Sequence, residues 1–145
     1  MEVRSRVSQA QTLAAGAAAW LALNAFVYIA APLLGLSMGP VASFFGGLLL
    51  PASASPAQAW AGRVVLLLAA LGWSLLYRVV GPHLPGPAWV RGVLYGAFIW
   101  LASVLVLPLI GFRLGGAAAL ALSALAHGVF GVTLAAISEV QAQRA

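Results

Sequence analysis

The sequence predicts an all-α polytopic membrane protein, a four-helix bundle in a single domain spanning 1–145. An extra short re-entrant or interfacial segment is expected between its first and second helices. Three observations predict this. The chain of 145 residues is 63% hydrophobic and 6% charged, with a mean hydropathy of +1.06. A soluble domain of that size could not hide so many apolar side chains, so lipid must cover much of the surface. The apolar residues also gather into four runs of spanning length, about 10–34, 58–80, 88–110 and 117–138. Finally, all seven cations are arginines standing singly at the edges of these runs. That pattern orients a membrane protein and argues against nucleic acid as a partner.

Each element follows from local signals. Residues 1–9 form a short polar lead with Arg4 and Arg6, and the first run ends in Pro32-Leu-Leu-Gly35. This run is too long for a cleaved signal peptide and lacks its small-residue cleavage site, so it reads as a retained span. Residues 35–54 are uncharged and broken by Gly39, Pro40, Gly46, Gly47 and Pro51. The apolar piece 41–50 is too short to cross, and protein must cover its backbone if it enters the bilayer. Ser55-Pro56-Ala57-Gln58 fits a capping box with proline at the first helical position, opening the second span. The Gly- and Pro-rich stretch 81–86 reads as a non-helical turn. Pro87 opens the third span, and a glycine-rich link leads to the fourth, with 139–145 as a polar tail.

Arginine placement orients the whole. With the N-terminus inside, Arg4, Arg6, Arg78, Arg91 and Arg144 lie inside and Arg63 and Arg113 outside, which favours cytoplasmic N- and C-termini in a cell inner membrane. Pro32-Leu-Leu-Gly35 and Pro108-Leu-Ile-Gly111 end the two outward-running helices. The match reads either as a duplicated hairpin or as a common helix terminator recurring in apolar sequence.

Polar groups inside spans are the usual functional suspects. Asn24, Ser103, Ser123 and His127 are expected near one depth and form the candidate intramembrane polar layer; the competing reading is hydrogen-bonded glue between helices. Gly92, Gly96, Ala124, Gly128 and Gly131 are the candidate packing positions, where small side chains let backbones approach.

Composition removes most chemistry. The sequence has no cysteine, lysine or aspartate, and its two glutamates, Glu2 and Glu139, are near the termini. No carboxylate orients His127 beside Ser123 and no strained nucleophile turn appears, so no enzyme, no metal site and no cofactor is expected. Haem would need a second axial ligand, and His83 and Met38 lie far from His127 by this topology. Four spans is also the size of small multidrug exporters, but those use a membrane-embedded glutamate in the first helix, where this chain offers only Asn24. The leading expectation is a structural or accessory protein that self-associates or joins a larger membrane complex, with the lipid bilayer as its constant partner. A small transporter or channel for a neutral solute past Asn24 and His127 is the alternative. A haem- or quinone-binding subunit using His127 is the weaker one.

Gly92-x-x-x-Gly96, Pro108-Leu-Ile-Gly111, His127-Gly128-x-x-Gly131 and the Pro32-Leu-Leu-Gly35 turn resemble those of a group of uncharacterised small four-span bacterial inner-membrane proteins. The resemblance rests mainly on the second half. It implies a four-helix architecture and no chemistry.

Overall fold

The computed structural model describes residues 7–37 and 39–144; Arg4, Arg6 and Met38 lie outside them. Five α-helices follow in order: α1 Gln9–Leu33, α2 Gly39–Gly47, α3 Ser55–Val80, α4 Ala88–Val106 and α5 Gly116–Arg144. Short 3-10 turns precede α3, follow it at Gly81–His83 and extend α4 through Leu107–Ile110. Four of the helices, α1, α3, α4 and α5, are long and apolar enough to cross a membrane. Among the described residues no strand occurs.

The helix ends show why the chain breaks where it does. α1 opens with a full capping box: the Ser8 hydroxyl accepts from the Gln11 amide at 3.2 Å, and the Ser8 amide donates to the Gln11 side chain at 2.8 Å. Two orphan amides at that end, those of Ser8 and Gln11, are thus addressed locally, and Thr12 also donates its hydroxyl to the Ser8 carbonyl. Ala54, rather than the expected Ser55, occupies the cap position of α3, and Gln58 donates to the Leu50 carbonyl at 2.9 Å. The 3-10 turn before α3 runs directly into the helix, so no free cap position remains there. Proline does stand in the first turn, as its missing N–H permits.

Both Pro-apolar-apolar-Gly segments make the same reversal. Gly35 (φ +66°) and Gly111 (φ +92°) are left-handed. The amides of Leu36 and Phe112 reach back to the Ala31 and Leu107 carbonyls, and the glycine amides bond to the Pro32 and Pro108 carbonyls. This is the paired 6→1 and 5→2 pattern that closes a helix C-terminus.

α5 runs six residues further than 138, reaching Arg144. At 29 residues it is about 43 Å long, more than the roughly 30 Å of a hydrocarbon core, so its last polar turns project beyond. Two contacts hold those turns: Gln141 donates to the Gln11 carbonyl at 3.1 Å, and Glu139 lies 3.5 Å from Arg91. The stretch 81–86 differs from expectation as well, since Gly81–His83 continue α3 by one 3-10 turn.

α1 packs against α3 on one side and α5 on the other, and α5 packs against α4. The start of α1 lies beside the end of α5, while Val27 and Ala31 meet Leu122 and Ala126, so these two helices are antiparallel. The core is small-residue on α1 (Ala15, Ala19) and bulky on α4 and α5 (Tyr95, Ile99, Phe130, Leu134). α3 meets α4 through aromatic rings: Tyr77 and Tyr95 centroids are 4.9 Å apart, Trp73 and Phe98 6.0 Å, and the Tyr95 hydroxyl donates to the Trp73 carbonyl.

α2 is the element that departs from a plain bundle. Its Ala42 and Gly46 abut Gly62 and Gln58, so it lies antiparallel along the first turns of α3. Ala42 is therefore level with a residue about 10 Å inside α3, and the chain doubles back after α1 before climbing out again.

Candidate functional site

The five candidate packing residues fall at or near one seam. A side chain on Gly96 would overlap the His127 carbonyl, one on Gly92 would meet the Val132 backbone, and one on Gly131 would overlap the Gly92 carbonyl. α4 and α5 therefore touch backbone to backbone along Gly92–Gly131 and Gly96–His127, an approach only glycine allows. Gly128 differs: a methyl there would meet nothing within 4 Å. Ala124, one turn further on, is half-buried. The same logic operates at positions the sequence did not single out. Gly16 on α1 faces the fully buried Ser74 of α3, whose hydroxyl donates to the Leu71 carbonyl at 2.7 Å.

The candidate polar residues are spread over separate grooves. Asn24 and His127 are close to one depth, given the antiparallel register of Val27 and Ala31 with Leu122 and Ala126. Ser103, seven residues beyond Gly96, is about 10 Å further along the axis. Each bonds within its own helix: Asn24 donates to the Trp20 carbonyl at 2.8 Å, Ser103 to the Ile99 carbonyl at 2.9 Å, and His127 Nδ1 is 2.7 Å from the Ser123 carbonyl. Among the described residues, His127–Ser123 within α5 is the one hydrogen bond between two of the four, and none joins them across helices. Such bonds satisfy a polar side chain in an apolar span without a partner helix. His83 sits exposed in the turn after α3, at the opposite end of the molecule from the Pro-containing reversals. No three metal-ligating side chains come together among the described residues.

The structure adds a recess that the sequence did not reveal. Trp20, Asn24, Val27 and Tyr28 of α1, Val41 and Ala42 of α2, and Arg63 and Leu66 of α3 line a shallow, open recess of about 40 Å³. Arg63 donates to the Tyr28 hydroxyl at 3.3 Å and its guanidinium lies 4.7 Å over the Trp60 ring. Exposed aromatic faces attract a cation through their quadrupole. A signal for this site was present, since Arg63 stands eight residues inside an apolar helix, but reading it as a topology marker concealed its neighbours.

Four apolar spanning helices, a core closed by small and aromatic side chains, and polar groups turned back on their own helices define a small helical protein that fits a membrane. The chain belongs to a family of unknown function, DUF6789, whose pattern matches residues 7–145. The match thus extends through both halves of the chain. No curated protein and no solved structure matches it.

Proposed function

We propose that the protein is a structural or accessory component of a bacterial inner membrane, associating with itself or with a larger membrane complex, and that it is not an enzyme. The observation that carries this reading is the closed interior. Ala15, Ala19, Tyr95 and Leu134 are at most 1% exposed, and the intramembrane polar groups are occupied by their own helices. A protein with its interior so filled acts through its outer surface. Gly72 supports the same reading: it is exposed on α3 between Leu68 and Leu76, and a methyl there would meet nothing within the chain. Glycine on a lipid-facing surface admits a second helix to close van der Waals contact, the main attraction between helices in lipid. Cytoplasmic termini fit the arginines, with Arg78, Arg91 and Arg144 at the end that carries the termini, Arg4 and Arg6 preceding it, and Arg63 and Arg113 toward the other.

Purification of the full chain in a mild detergent, with mass determination by light scattering, tests this. The expected species is larger than one 14.8 kDa chain, and Gly72→Leu reduces its mass or strips its partner. A monodisperse monomer that captures no partner overturns the proposal.

A further inference from the structure

The recess between α1, α2 and α3 holds a cation for which the described residues supply no anion. The sequence contains two carboxylate side chains, Glu2 and Glu139. Glu139 faces Arg91 at the end of the molecule carrying the termini. Among the described residues, Glu139 is the one carboxylate side chain, so none lies beside Arg63.

A guanidinium in a low-dielectric setting strongly favours an opposite charge, and its planar fork suits phosphate oxygens. Its present neighbours are a neutral phenol and a ring face, which leave donors free. The rest of the lining is apolar, with Trp20, Val27, Val41 and Leu66 beside Asn24. Such a site combines one positive group at its mouth with a wall suited to hydrocarbon. The first turn of α2, which contributes Val41 and Ala42, adds the positive end of a helix dipole to the same space.

We propose that this recess binds the phosphate of an anionic phospholipid from the leaflet at that end of the molecule, with an acyl chain lying over Val41 and Leu66. A zwitterionic headgroup fits less well. Its ammonium would find no carboxylate in the recess, and Arg63 already covers the Trp60 face. The proposal is independent of self-association.

Native mass spectrometry of the full chain, equilibrated with equal amounts of phosphatidylglycerol and phosphatidylcholine in mixed micelles, tests it. One arginine near an anionic headgroup gives a preference of about fivefold for phosphatidylglycerol. Arg63→Gln abolishes that preference, Arg63→Lys restores part of it, and Arg113→Gln leaves it intact. Leu66→Trp, which fills the recess but keeps the charge, also lowers lipid retention, so the proposal stays testable if Arg63→Gln misfolds. Unchanged preference in Arg63→Gln, or equal loss in Arg113→Gln, overturns it. So does displacement of the lipid by inorganic phosphate at the same concentration, which would assign the site to a free anion.

Discussion

The α4–α5 hairpin and the α1–α3 hairpin start alike and finish differently. Each opens with a helix that stops in Pro-apolar-apolar-Gly, with the same pair of reversed hydrogen bonds. In the second hairpin the chain then returns at once, and α5 lies on α4 with glycine meeting backbone at two levels. In the first, α2 intervenes, α1 meets α3 at Gly16 and Ser74, and the recess opens where α2 wedges in. Identical terminators therefore do not dictate identical returns. The residues after the glycine decide: Gly46 and Gly47 end α2 after nine residues, whereas nothing interrupts α5 for 29.

The largest expected effect lies in the tight hairpin. Gly96→Leu forces a side chain into the His127 carbonyl and lowers stability by about 3 kcal/mol, seen as a fall in the thermal midpoint in detergent. An unchanged midpoint would mean that the two backbones are not in contact. Gly62→Val should act more locally. It pushes the Ala42 backbone off α3 and costs about 1–2 kcal/mol, leaving the spanning helices in place. Maleimide labelling of Ala42→Cys in this cysteine-free chain reads the difference, with labelling faster in the Gly62→Val background. Equal rates in both backgrounds would show that α2 does not depend on that contact.

Smaller effects separate the aromatic interface from the polar candidates. Tyr95→Phe removes the bond to the Trp73 carbonyl between α3 and α4 and costs about 1 kcal/mol by thermal unfolding. Asn24→Ala and Ser103→Ala each cost about 0.5 kcal/mol, because only a bond within one helix is lost. A loss from Asn24→Ala larger than that from Tyr95→Phe would reverse the ranking and make the α1 groove the more tightly organised of the two.

The sequence made the spanning helices legible because apolar length is a one-dimensional property. The runs 10–34 and 88–110 lie within a residue of the observed α1 and of α4 with its 3-10 extension. Pairings were less legible. Gly92-x-x-x-Gly96 announced a close approach, yet only the register of α5 shows that His127 and Gly131 are what it approaches. Gly46 and Gly62 carried no such spacing, since the residues four before them are Ala42 and Gln58 rather than glycine. The cap at Ser8 was overlooked because residues 1–9 read as an undivided polar lead, although Ser8 and Gln11 have the required separation. The polar candidates were chosen by depth alone. Depth says nothing about which groove a side chain occupies, so Asn24 shares its recess with Arg63 and Tyr28 while His127 belongs to the α4–α5 seam.

The antiparallel seating of α2 also sets an order of assembly. A ribosome delivers Ala42 twenty residues before Gly62, and Gly46 twelve residues before Gln58. Nine helical residues are too few to insert as a span, and their exposed end groups are costly in lipid until covered. The seat of α2 exists only once α3 supplies the groove beside Gly62, so its docking follows the formation of α3. Its contacts close separations of 12 and 20 residues, shorter than the 31 and 39 that part Gly96 from His127 and Gly92 from Gly131, so the seating of α2 does not wait for the second hairpin.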